Sequence, residues 1–229
     1  MRAPIVLAVD TTDVDRARAW VEATRESISV IKLGLEFFLA HGQAGVAYVR
    51  DGAPDLELFL DLKLHDIPNT VAGATRAIAQ IRPDYLTVHA SGGARMISAA
   101  VTELPEGKVT AVTLLTSLAE LDVSDLGISG TPPEIVNRWA LAAVHAGAQA
   151  IVASPHEVES LRKNLPPEII LITPGVRPSG SEKGDQARVA TPEEAISWGA
   201  NFVVIGRPIT SGATLDEITE NAARIAASF

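Results

Sequence analysis

The sequence predicts an α/β fold, a single-domain (β/α)8 TIM barrel over residues 1–229. Three observations carry this expectation. Eight short runs rich in valine, isoleucine and leucine recur along the chain with stretches of helical length between them, and such alternation lays helices around a parallel sheet. A length of 229 residues suits one core of barrel size. The first run is not followed by G-x-G-x-x-G, so the fingerprint of an open dinucleotide-binding sheet is missing, although an open sheet remains an alternative.

The eight runs, in order, are IVLAV (5–9), VIKL (30–33), LFLDL (58–62), YLTVH (85–89), VTAVTLL (109–115), AIVA (150–153), IILIT (169–173) and FVVIG (202–206). Each combines strand-favouring side chains with the short length of a buried parallel strand. Helices are expected between them, for example over 13–26, 69–80, 133–146 and 214–227. Several of these open with Ser, Thr, Asp or Pro, residues that cap or pre-shape a first turn.

A formal charge of -9 argues against a general nucleic-acid surface and confines any anion binding to a local pocket. There is no cysteine, which excludes a disulfide framework and thiolate chemistry and fits a reducing cytoplasm. The apolar run near the N-terminus breaks at Asp10, too short for a signal peptide, and no segment approaches the ~20 apolar residues of a membrane span. A soluble, cytoplasmic protein is expected.

Charge sits inside one strand. In LDLKLHDIPNT (60–70), alternation would turn Phe59, Asp61 and Lys63 one way and Leu60, Leu62 and Leu64 the other, with the leucines meeting the helices. Asp61 and Lys63 would then face the barrel near the strand's C-terminal end, where barrel active sites lie. Asp10 ends the first run, Lys32 lies late in the second and His89 ends the fourth, so polar groups from several strands converge on one mouth. A structural ion pair is the alternative for Asp61 and Lys63. Buried pairs are weak stabilisers, however, and several charges at one rim point to a use. Asp66, just before Pro68, is either part of this set or a helix cap. His41, His145 and His156 show no metal spacing, and His65 and His89 lack a ligand set; no metal site is expected.

After the seventh run, residues 174–190 form a long Gly- and Pro-rich connection that reads as an active-site lid, with Arg177, Gln186 and Arg188 able to reach an anion. The eighth run ends in IGRPIT, where Gly206 permits close backbone approach and Arg207 supplies a fork for phosphate oxygens. Together these predict a barrel of the phosphate-binding type, with its anion site at loops seven and eight.

With these residues in view, the chain closely resembles the orotidine 5'-monophosphate decarboxylase family of bacterial type. The resemblance runs through LAVD, IKLG, FLDLKLHDIPNT, TVHASGG, LLTS, TPGVRP, DQARVATP and IGRPIT, in family order. It implies decarboxylation of orotidine 5'-monophosphate to UMP and CO2 in pyrimidine biosynthesis by a homodimer without cofactor or metal. It further implies that Lys32, Asp61, Lys63 and Asp66 form the alternating charged network, with Asp66 and Thr70 supplied across the dimer interface. Asp10, Lys32 and Thr70 match ribose contacts, Gln186 and Arg207 the phosphate grip, and Arg177 a position beside it. Thr116 is the first candidate to read the pyrimidine amide and Ser117 the second; Ala119 stands where some relatives use a serine. Two other readings stay open at this point: a Mg2+-dependent phosphosugar barrel sharing the D-x-K-x-x-D strand, such as a ketogulonate phosphate decarboxylase or hexulose phosphate synthase, and a catalytically silent barrel that binds a phosphorylated ligand.

Overall fold

The computed structural model describes residues 2–178 and 190–229. Among them eight parallel strands close into a barrel in sequence order: β1 (Ile5–Ala8), β2 (Val30–Gly34), β3 (Glu57–Leu64), β4 (Tyr85–His89), β5 (Lys108–Val112), β6 (Ala150–Val152), β7 (Ile170–Thr173) and β8 (Phe202–Ile205). β8 pairs with β1 and closes the ring, Val204 opposite Val6.

Alternation sorts the side chains into two layers. Val6, Val30, Phe59, Tyr85, Ala150 and Ile172 pack together as one cluster inside the barrel. Their neighbours along the strands, such as Leu7, Ile31, Leu60 and Leu171, join the larger outer core against the helices. Each fully buried Leu or Ile contributes roughly 1.5–3 kcal/mol, so a one-residue slip in register would cost several such side chains at once.

The helices around the ring are α1 (Val14–Thr24), α2 (Leu35–Asp51), α3 (Pro68–Ala79), α4 (Ala94–Glu103), α5 (Glu120–Asp125), α6 (Pro132–His145), α7 (Pro155–Asn164), α8 (Pro192–Ser197), α9 (Arg207–Thr210) and α10 (Leu215–Ala226). The four ranges expected from sequence are met to within a residue or two. Their starts follow capping chemistry. Asp13 accepts from the Arg16 N–H at 2.9 Å, and Thr191 and Glu194 cap each other's backbone at the head of α8. α2 is broken at Gly42, whose φ of 60° is a conformation glycine adopts without a Cβ clash.

Two expectations need correcting. The fifth strand ends at Val112, not at residue 115. Leu114 and Leu115 line the cavity at the mouth, and apolar pocket walls read as strand when only their hydrophobicity is visible. In the third strand the simple pleat also fails. From Leu60 opposite Leu86 to Leu64 opposite Val88, β3 advances four residues while β4 advances two, so β3 bulges. Lys63 sits in this bulge with φ 47°, an unusual value for a residue with a side chain.

At the end of the barrel opposite the mouth, the strands begin with a polar plug. Tyr85 Oη donates toward Glu57 Oε2 at 3.4 Å, and Lys108 Nζ lies 5.0 Å from the Tyr85 ring centroid. Among the described residues no helix is long and apolar enough to cross a membrane.

Candidate active site

Asp61 and Lys32 reach the mouth from adjacent strands. Lys32 is paired in register with Phe59, two residues before Asp61. Lys32 Nζ lies 3.4 Å from Asp61 Oδ2 and 3.4 Å from Asp10 Oδ1. On the other side of the same carboxylate, Lys63 Nζ lies 2.8 Å from Asp61 Oδ1. The result is a row of alternating charge, Asp10, Lys32, Asp61, Lys63. Only 11 % of the Lys32 side chain and 15 % of that of Asp61 are exposed, against 33 % for Lys63 and 64 % for Asp10, so the middle of the row interacts in a low-dielectric setting and its outer members meet the solvent.

Burial alone would raise the Asp61 pKa. The charges of Lys32 and Lys63, with the hydrogen bonds from Lys63 and Thr87, outweigh it and hold this carboxyl below its ordinary value. Thr87 was not singled out from sequence. Its signal was its place between Tyr85 and His89 on the inward side of β4, and it donates to Asp61 Oδ1 at 3.1 Å.

Lys32, Asp61 and Lys63 line a cavity floored by Phe59 and walled on the far side by Thr116 and Ser154. Ser154, also missed, caps α7 by accepting from the His156 N–H. Thr116 lies on the connection from β5 to α5. Ala119, at the head of α5, has no hydroxyl, and its N–H donates to Asp122 Oδ2 at 2.7 Å.

Asp66 and Thr70, beyond the end of β3, are both exposed. Asp66 Oδ1 accepts from the adjacent Ile67 N–H, and α3 begins after Ile67 with Pro68 and without a side-chain cap. The capping role considered for Asp66 is therefore not what the structure shows. Ile67 between them is 66 % exposed, a large apolar side chain open to solvent.

On the opposite rim, Gly206 follows β8 where a Cβ would come 3.3 Å from that of Ala8, so glycine lets the end of β8 lie tightly against β1 beside Asp10. Arg207 follows as the first residue of α9 and is exposed. Arg177 is partly buried; its backbone N–H donates to Ala190 O at 3.0 Å and its guanidinium to Val176 O at 2.9 Å. Gln186 and Arg188, with the central part of the expected lid, lie outside the described residues.

Beside Lys63, the rings of His65 and His89 stack with centroids 5.3 Å apart, and His89 Nδ1 is 2.8 Å from Ser91 Oγ. Burial, the neighbouring His65 and the Lys63 charge all lower the His89 pKa. Among the described residues no group of three or more His, Cys, Asp or Glu is placed to hold a metal ion.

The arrangement can hold one anion against a lysine while a second acid presses on it. Comparison with known proteins gives this geometry its context. The chain is 53% identical over 210 residues to an orotidine 5'-phosphate decarboxylase of Thermobifida fusca, covering 92% of this chain and 90% of that protein. It is 47% identical to one of Frankia casuarinae, covering 91% and 82%. Among solved structures, an orotidine 5'-phosphate decarboxylase from Lactobacillus acidophilus superposes with a TM-score of 0.82 at 30% identity, over 97% of this chain and 98% of that one. One from Pyrococcus horikoshii, at 22% identity and a TM-score of 0.78, shares the fold. The family described as orotidine 5'-phosphate decarboxylase / HUMPS matches residues 3–221, and with the barrel and the charged row already in place, this chain belongs to that family.

Proposed function

We propose that this chain decarboxylates orotidine 5'-monophosphate to UMP and CO2 in pyrimidine biosynthesis, without metal or organic cofactor. The observation that carries the reading is the row Lys32, Asp61, Lys63, with Lys63 Nζ 2.8 Å from Asp61 Oδ1 at the barrel mouth.

Loss of CO2 breaks the bond from C6 to the carboxyl carbon and leaves the electron pair on C6. No adjacent carbonyl takes up that charge, so the site must stabilise it electrostatically. The Lys63 ammonium faces C6, stabilises the developing carbanion and delivers its proton to C6 as general acid. Asp61 lies against the departing carboxylate. Two unit charges ~4 Å apart interact by about 4 kcal/mol at an effective dielectric of 20, which falls short of the roughly 8–23 kcal/mol by which enzymes lower barriers. Remote binding energy must supply much of the rest.

That energy comes from the phosphate, gripped by Arg207 and Gln186 with Arg177 beside them, and from the ribose, held by Asp10, Lys32 and the partner's Thr70. Thr116 reads the pyrimidine amide. The site is completed in a homodimer, where Asp66 crosses the interface to the neighbouring subunit's Lys63. The exposed Ile67 supports that assignment, since it lies between the two residues expected to cross. The compartment is the cytoplasm.

The test mixes EDTA-treated protein with orotidine 5'-monophosphate and follows the pyrimidine absorbance, with Lys63→Ala alongside. Conversion to UMP that disappears in the variant is expected. Activity lost to EDTA and restored by Mg2+ would transfer the chain to the metal-dependent sugar-phosphate reactions.

A further inference from the structure

Asp61 and Lys63 lie in the same strand but are not held together by that strand's own pleat. The bulge between Leu60 and Leu64 removes the regular ladder just where the two residues sit, and the backbone of Lys63 is in the left-handed region at φ 47°. Such a conformation costs of order 1–3 kcal/mol and persists only where the surroundings enforce it. Something must fix the bulge.

One side chain touches both halves. The Lys63 backbone N–H donates to Thr87 Oγ1 at 2.8 Å, and Thr87 Oγ1 donates to Asp61 Oδ1 at 3.1 Å. A second acceptor, Leu60 O, lies at 3.5 Å. A hydroxyl has a single proton to give and two lone pairs to receive with, so the shorter contact takes the proton and the Lys63 N–H takes a lone pair. Thr87 is fully buried on the inward side of β4. Its β-branched side chain has few rotamers, which makes it a stiff strut between the neighbouring strand and the bulge. Asp61 Oδ1 thereby receives Lys63 Nζ and Thr87 Oγ1 together, while Oδ2 is left to Lys32.

We propose that Thr87 is a positioning residue for the decarboxylation, acting through Asp61 and Lys63. Its hydroxyl fixes the bulge of β3 so that the Lys63 ammonium and the Asp61 carboxylate meet the two ends of the bond that breaks. Thr87 itself touches no substrate atom. The inference rests on the proposed roles of Lys63 and Asp61.

Four variants test it: Thr87→Val and Thr87→Ala, which remove the hydroxyl with and without its volume, Thr87→Ser, which keeps it, and Lys63→Ala. Either hydroxyl-free variant suffices if the other does not fold, as judged by circular dichroism and by binding of UMP. The expected result is a 10- to 100-fold loss of kcat on orotidine 5'-monophosphate with KM within about threefold, the pattern of a lost transition-state interaction. The acidic limb of the kcat profile should also move to higher pH, because Asp61 loses a hydrogen bond to its charged form. Thr87→Ser should keep kcat within about threefold of the parent, since the geometry survives. A hydroxyl-free variant with kcat within twofold, an unmoved acidic limb, or a serine variant as slow as the valine one would overturn the inference. A fully active Lys63→Ala would instead remove the reading on which it rests.

Discussion

Lys63 Nζ meets Asp61 Oδ1 at 2.8 Å across a break in the strand that carries both residues. With Lys32 on the second oxygen, Asp61 is a single carboxylate serving two ammonium groups from neighbouring strands. This relationship has a signature in acid. The Asp61 pKa is held below its ordinary value, so the folded state binds fewer protons than the unfolded chain over that range. Its contribution to stability is complete above the unfolded value of about 4 and is lost as the pH falls through the folded one. Urea unfolding of the parent and Asp61→Asn should differ by roughly 3 kcal/mol at pH 5–7, and the difference should shrink below about pH 4. A difference that stays constant to pH 3 would contradict the pairing.

The opposite end of the barrel behaves with the opposite sign. Burial raises the Glu57 pKa, and the nearby Asp84 adds to it, while Lys108 and the Tyr85 hydroxyl only partly compensate. The folded state therefore holds its proton more tightly than the unfolded chain. The associated stability is present below the unfolded value and is lost as the pH rises through the folded one. Glu57→Gln should therefore raise Tm by about 2–4 °C at pH 7–8 and bring no gain near pH 4. A lower Tm for Glu57→Gln at pH 8 would show that the carboxylate is stabilising after all. The site is remote from the mouth, so turnover serves as an internal control and should not change.

The barrel was legible in the sequence because parallel strands buried on both faces are written as unbroken apolar runs, and FVVI or IVLA cannot be much else between helical stretches. The charged row was legible because Asp61 and Lys63 interrupt such a run. The bulge was not, since nothing in DLKL reports that Lys63 adopts a positive φ; that conformation is imposed from β4 by a threonine that looks like any strand residue. Leu114 and Leu115 misled for a related reason, as pocket walls and strands share a composition. Asp66 and Thr70 are assigned by resemblance through DIPNT, since nothing in the alternation of β3 directs residues beyond its end toward the mouth.

Arg207 separates binding energy from stability. It is exposed at the rim after β8, where a surface substitution ordinarily changes stability little, and in the proposed function it makes a charge-assisted contact to phosphate. Such contacts are worth roughly 1.5–3 kcal/mol. Arg207→Ala should therefore raise KM for orotidine 5'-monophosphate by roughly 10- to 100-fold, with a Tm within about 2 °C of the parent. Steady-state kinetics beside a thermal melt measure both. Unchanged kinetics would remove Arg207 from the phosphate site.

A site shared between subunits makes a prediction that no single-chain site can meet. Lys63 lines the cavity of its own chain, whereas Asp66, exposed and bonded only to the adjacent Ile67 N–H among the hydrogen bonds of the described residues, would by the proposed function serve the partner's. Lys63→Ala and Asp66→Ala homodimers should each be nearly inactive. Mixed and allowed to exchange, they form hybrids with one cavity holding both substitutions and the other holding neither. With random re-pairing, half the dimers are hybrids and each has one intact cavity of two. Activity should therefore recover to about a quarter of that of the parent at equal subunit concentration. Ile67→Asp, which would place a charge in the proposed interface, should shift the protein to monomer in sedimentation and abolish the recovery. A mixture that stays as inactive as its components, although hybrids are seen to form, would return Asp66 to a role within its own chain.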